Sequence, residues 1–133
     1  MYGASIGLKP QNATQLIARI KKGLPIKAFE QLCKTLEISE KELSGILQIP
    51  LSTLARRKKG GHLAFEESER LFRLSRLYDK AVEVFADAES ARKWLREPAW
   101  GLGDVAPLKY ADTELGSKEV EELLGRIEHG IFS

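Results

Sequence analysis

Apolar residues return every three or four positions along nearly the whole chain, and no segment alternates with period two over strand length, so the pattern predicts an all-α fold. Leu16, Ile17 and Ile20 open a short amphipathic stretch that Gly23 ends, with Pro25 where a first helical turn tolerates a missing amide donor. Ile26, Phe29, Leu32, Cys33 and Leu36 then fall on one face of a second helix. Ser39 followed by Glu42 reads as a capping box, starting a third helix at Glu40 that turns Leu43, Ile46 and Leu47 inward. Ile49-Pro50 must cut that helix short, because proline disfavours helical geometry in the residue before it. A fourth helix follows from Leu51 to about Lys59 and stops at Gly60-Gly61.

A longer helix runs from Phe65 to about Phe85, carrying Leu71, Leu74, Ser75, Tyr78, Val82 and Phe85 inward. Glu66–Arg70 and Glu69–Arg73 are spaced as pairs on its solvated face. Asp87 is placed to cap a sixth helix whose inward side is Ala88, Ala91, Trp94 and Leu95, ended by Pro98. Residues 98–112 read as the one irregular stretch, pinned to the core by Trp100, Leu102, Val105 and Leu108. A last helix spans about Thr113 to Glu128 on the stripe Val120, Leu123, Leu124 and Ile127.

Two short helices across a tight turn are the helix-turn-helix arrangement, in which the second helix is offered to the major groove. Residues 40–59 fit it: Leu43, Leu47, Ile49 and Leu54 are the apolar framework, and Ser44 is small where the helices come closest. Such turns usually place glycine at a left-handed position, where this chain has Gln48, which implies strain there or a different turn. The second helix carries the run Arg56-Arg57-Lys58-Lys59, with Ser52 and Thr53 on its first turn for base edges or phosphates and Lys41 placed for a phosphate. The alternative is a soluble surface with cations where the helix dipole favours them. DNA-binding helix-turn-helix proteins generally work in pairs on a two-fold site, so a homodimer is expected, joined through the fifth helix or the C-terminal half.

Charge sharpens this picture. The 133 residues carry a net charge of only +2, but residues 1–81 hold 15 basic and 8 acidic side chains and residues 82–133 hold 6 basic and 11 acidic. A +7 front half and a −5 back half, divided as 1–81 and 82–133, suggest two surfaces for two kinds of partner. Other chemistry is largely excluded. The lone Cys33 sits in an apolar stripe and reads as a core residue; His62 and His129 have no metal-ligand spacing; no phosphate loop or nucleophile elbow is present. No metal, no cofactor and no catalysis are therefore expected, and with no membrane-length apolar run and no leader pattern the chain reads as cytoplasmic.

Several passages carry a resemblance. They are Leu54-Ala55-Arg56-Arg57 with Gly60-Gly61; Glu67-Ser68-Glu69-Arg70-Leu71 continuing to Ala81-Val82-Glu83-Val84-Phe85; and the series Ala91, Trp94-Leu95, Pro98, Pro107-Leu108, Asp112-Thr113-Glu114, Val120-Glu121 and Arg126-Ile127-Glu128-His129-Gly130. Over about residues 24–133 the chain resembles the antitoxins of the Xre/MbcA/ParS type, which pair with RES-domain toxins. It departs from them at Gln48 and at Gly103-Asp104, where the family often has a second glycine.

The resemblance implies a helix-turn-helix domain that represses the toxin–antitoxin operon and a small helical C-terminal domain that binds and neutralises the toxin. RES-domain toxins look like ADP-ribosyltransferases and act on NAD. In this family the end of the chain is placed at or near the toxin's NAD cleft. That makes Arg126 the leading toxin-binding candidate, pairing with an active-site carboxylate while Ile127 and Phe132 anchor beside it and Glu128 and His129 add contacts. The rival reading is a stand-alone transcription regulator whose C-terminal half dimerises or binds an effector.

Overall fold

The computed structural model describes residues 4–8 and 12–130. Among them lie eight α-helices, two short 3-10 turns and no strand, only isolated bridges between Pro25 and His62 and between Ala99 and Val105. The chain divides into two compact units that meet at Ser75 and Arg76.

In the first unit a 3-10 turn at Ala4–Ile6 packs on α2 (Ile26–Leu36), held by a Thr35 hydroxyl that donates to the Ser5 carbonyl at 2.9 Å. α1 (Ala13–Lys22) starts with a full capping box. Asn12 Oδ1 accepts from the Gln15 N–H at 2.8 Å, and Gln15 Oε1 accepts from the Asn12 N–H at 3.3 Å. Leu16 and Ile20 are buried as the stripe predicts, whereas Ile17 lies on the exposed side. α2 buries Phe29, Leu32, Cys33 and Leu36; burial, with the charge of Glu40 adding to it, pushes the Cys33 thiol up to about 11, so this sulfur stays protonated and unreactive.

The end of α1 fits tightly against the chain that follows the fourth helix. Gly23, at φ +97°, lies so close to the Leu63 carbonyl that an added Cβ would stand 2.1 Å from its oxygen, which restricts the position to glycine on two counts. The Leu63 N–H donates to the Leu24 carbonyl at 2.8 Å and the Ile26 N–H to the Gly61 carbonyl at 2.9 Å. The buried Leu24 N–H finds its partner in Ser68 Oγ at 2.8 Å, and that hydroxyl donates in turn to the Ala64 carbonyl. Ser68 is thereby a buried polar residue with its capacity used.

α3 (Glu40–Ile46) and α4 (Leu51–Gly60) form the predicted helix pair, and Leu43, Leu47, Ile49 and Leu54 are all buried. Ser39 Oγ accepts from the Glu42 N–H at 3.0 Å, the N-cap half of the expected box. α5 (Phe65–Phe85) has the predicted limits, and the division between the units falls inside it. Its buried side comprises Leu71, Leu74, Ser75, Leu77 and Ala81, while Tyr78, Val82 and Phe85 are half-buried. Arg70, paired with Glu66 on a solvated face by spacing alone, is half-buried and donates to the Leu47 carbonyl at 3.0 Å, closing the end of α3.

In the second unit Asp87 caps α6 (Ala88–Arg96) by accepting from the Ser90 N–H at 2.9 Å. Ala91 and Leu95 are buried; Trp94 is only half-buried and packs on Phe85 with ring centroids 5.8 Å apart. The stretch 98–112 is more regular than its composition suggests. It contains a 3-10 turn at Trp100–Leu102 and α7 (Pro107–Tyr110), which Pro107 opens at its first position. Leu102 and Leu108 are buried as expected, but Trp100 is 83% exposed and Val105 also faces out. The tight turn explains this: three residues per turn put Ala99 and Leu102 on the inner side together and leave Trp100 on the outer one. α8 (Glu114–Glu128) starts from Thr113, whose Oγ1 accepts from the Gly116 N–H at 3.0 Å, and packs on α7. A Cβ at Gly116 would stand 1.9 Å from the Tyr110 carbonyl oxygen, so only glycine lets α8 approach the end of α7.

Candidate nucleic-acid and partner interfaces

The turn between α3 and α4 retains left-handed geometry without glycine. Gln48 has φ +59°, its N–H donates to the Gly45 carbonyl at 3.1 Å, and the Ile49 N–H reaches back to the Ser44 carbonyl at 2.9 Å, the two bonds of a Schellman motif. The Ser44 hydroxyl donates to the Ile49 carbonyl, so the small buried serine laces the turn from inside. Of the two possibilities at Gln48, strain or a different turn, the structure has the first. Asp104 repeats it: at φ +63°, next to Gly103 at φ +65°, it occupies the left-handed position where the resembling family often has its second glycine. Aspartate is among the residues that tolerate this region best.

The helical period sorts the residues of α4 into faces. Ser52, Ala55, Arg56 and Lys59 are exposed and fall on one stripe, with Thr53 half-buried at its edge. Thr53 Oγ1 accepts from Arg56 Nη2 at 3.2 Å. Lys41 is exposed on the first turn of α3. Arg57 stands three residues after the buried Leu54 and turns toward α5, where its Nε and Nη2 meet the two carboxylate oxygens of Glu67 at 2.9 and 3.2 Å. Glu67 Oε1 also accepts from the Ala64 N–H at 2.8 Å, the reciprocal bond of an N-terminal cap. Burial acts to raise the Glu67 pKa, but the hydrogen bonds from Arg57 and Ala64 outweigh it and hold this carboxyl below the usual carboxylate range. Lys58 pairs with Glu40 across the two helices. Of the four consecutive cations, Arg56 and Lys59 thus face outward with Ser52, while Arg57 and Lys58 make ion pairs to neighbouring helices.

The far end of the chain is built by α8. Val120, Leu123 and Leu124 are buried, Ile127 is half-buried, and Arg126 is exposed on the last turn beside the exposed His129. Glu128 meets Lys80 Nζ at 3.3 Å, and Arg76 meets Glu121 at 3.3 Å. Arg126, Ile127, Glu128 and His129 therefore lie together on one terminal turn, with Arg126 projecting into solvent. Phe132 lies outside the described residues. Sequence reasoning found the outward stripe of α4 but missed the inward use of Arg57; its signal was the three-residue interval from Leu54.

Comparison with known proteins agrees with this division. Residues 15–76 match the family model of the Antitoxin Xre-like helix-turn-helix domain, and residues 80–130 match that of the Antitoxin Xre/MbcA/ParS C-terminal toxin-binding domain. Antitoxin Xre of Yersinia enterocolitica (serotype O:8 / biotype 1B) is 37% identical over 96% of this chain and 88% of that protein. Antitoxin Xre of Photorhabdus laumondii subsp. laumondii is 34% identical over 97% of this chain and 88% of its own length. A more distant relative, the Prs ADP-ribosylating antitoxin of a Sphingobium species, is 26% identical over 88% of this chain and 80% of that protein.

Proposed function

Because this chain belongs to the Xre family of antitoxins, we propose that it neutralises an NAD-using RES-domain toxin by seating the end of α8 in the toxin's active site, and that it represses its own operon through α4. An antitoxin of this kind acts by binding and performs no catalysis. The observation that carries the reading is the exposed Arg126 at the end of the helix that closes the toxin-binding domain, a guanidinium in position to meet a carboxylate with two parallel hydrogen bonds. Ile127 supplies apolar contact next to it, Phe132 is proposed as a further apolar contact to the toxin, and His129 and Glu128 complete the polar rim, Glu128 giving up its contact with Lys80 as it does so. The Sphingobium relative's name refers to ADP-ribosylation, a chemistry that consumes NAD, which fits a toxin of that class. A stand-alone regulator has no need of a toxin-binding domain over residues 80–130. The antitoxin acts in the cytoplasm, where the operon and NAD are found.

The reading is tested by co-expressing the chain with the product of the neighbouring gene and measuring growth and cellular NAD. The parent chain restores both. Arg126→Ala, a change at an exposed position, leaves the unfolding midpoint of the antitoxin unchanged and weakens protection by tenfold or more, since a buried charged hydrogen bond is worth about 1.5–3 kcal/mol. Full protection by the variant assigns neutralisation to some other surface, and an NAD level that never falls with the toxin alone removes the NAD assignment.

A further inference from the structure

An open cleft of about 560 Å³ in the first unit belongs to neither surface described above. It is lined by Arg19, Lys22, Gly23, Pro25 and His62. Arg19 and Lys22 lie one turn apart on the exposed side of α1, in its last turns, and His62 is the second residue after α4. The three side chains come together through backbone geometry. The α1 end is pressed on the Leu63 carbonyl at Gly23, the Pro25–His62 bridge crosses the floor, and the Leu63-to-Leu24 and Ile26-to-Gly61 hydrogen bonds fix the two segments on either side. No carboxylate is among the described residues that line it, whereas Arg57 and Lys58 near the end of α4 are paired with Glu67 and Glu40.

We propose that this cleft is a second DNA-backbone site, in which Arg19, Lys22 and His62 bind a phosphate beside the C-terminal end of α4. The inference rests on α4 being the DNA-reading helix. A ten-residue helix is about 15 Å long, comparable with a major groove about 12 Å wide, so an α4 lying in the groove brings its C-terminal end toward one sugar–phosphate wall. His62 follows that end after Gly61, and backbone hydrogen bonds hold the segment that follows α1 beside it. Phosphate contacts of this kind fix the register of a reading helix without carrying sequence information.

The test measures binding to a duplex covering the DNA immediately upstream of the gene for this chain, and to an unrelated duplex of equal length, over a series of salt concentrations. Removing one phosphate contact lowers the slope of log affinity against log salt by about 0.9, so Lys22→Ala is expected to lower it by that amount and Arg19→Ala with Lys22→Ala by about 1.8, on both duplexes alike. Lys34→Ala, an exposed cation of α2 outside the cleft, leaves the slope unchanged, and Lys22→Arg keeps it. An unaltered slope in the Arg19/Lys22 variant, with Arg56→Ala still weakening binding, overturns the cleft alone. An equal fall with Lys34→Ala overturns it too, since the effect is then one of net charge. A parent chain that binds neither duplex overturns both the cleft and the reading of α4.

Discussion

At the scale of single residues, the left-handed positions show what the backbone demands and what it tolerates. Gln48 and Asp104 stand where glycine would be unstrained, and the turns form around them all the same, because Ser44 and the capping hydrogen bonds hold the first and Gly103 shares the second. Gly23 and Gly116 are different in kind. There a carbonyl oxygen occupies the space of a Cβ, and no other residue fits. Glu67 was legible in the sequence only as an acid near a helix start; its bidentate bond with Arg57 joins residues ten apart and depends on how α4 meets α5. That bond predicts a pH effect. The Glu67 pKa is depressed in the folded chain, so its contribution is complete above the unfolded carboxylate value of about 4.3 and is lost as pH falls below that and through the folded value. Urea unfolding of the parent and of Glu67→Gln should differ by about 1–2 kcal/mol at pH 7, and the gap should narrow as pH falls below the unfolded carboxylate value. A gap that stays constant with pH counts against this pair as a stabilising contact.

Elements were read well from periodicity and caps, since both are local. The limits of α5 and the caps Ser39, Asp87 and Thr113 follow from sequence alone, because a hydroxyl or carboxylate three residues before a free amide decides where a helix starts. The stretch 98–112 was misjudged because a 3-10 turn has no apolar period of 3.6, which sent Trp100 to the core on paper and to the surface in the fold. For α4 the distinction between outward and inward cations makes a prediction. Arg56→Ala with Lys59→Ala should lower the salt slope of DNA binding by up to about 1.8 with no loss of stability. Arg57→Ala should instead lower the unfolding midpoint, because it leaves the buried Glu67 carboxylate with the Ala64 N–H but without its cation. The opposite pattern in thermal melts and binding isotherms would reverse the assignment of faces.

At the scale of the whole molecule, the charge split and the two compact units describe a protein with two partners, a DNA-binding helix-turn-helix in its basic part and a toxin-binding domain in its acidic part. A helix-turn-helix with one ten-residue reading helix makes few contacts, so the chain is proposed to act as a homodimer. Light scattering should return twice the 14.9 kDa chain mass, and the protected DNA should show half-sites one helical turn, about 10 base pairs, apart or a multiple of it. A monomer on a single half-site would exclude that arrangement. The sequence by itself determined the all-α class, the order and limits of most helices, and the family, because helical period, caps and short motifs are written in neighbouring residues. Tertiary structure alone decided which cations of the run remain outward, which serines are structural, and that Arg19, Lys22 and His62 share one cleft. Those facts depend on how separate helices and turns meet, through contacts such as Arg57–Glu67, Lys58–Glu40 and Leu24–Ser68, and no local pattern of hydrophobic and polar residues encodes them.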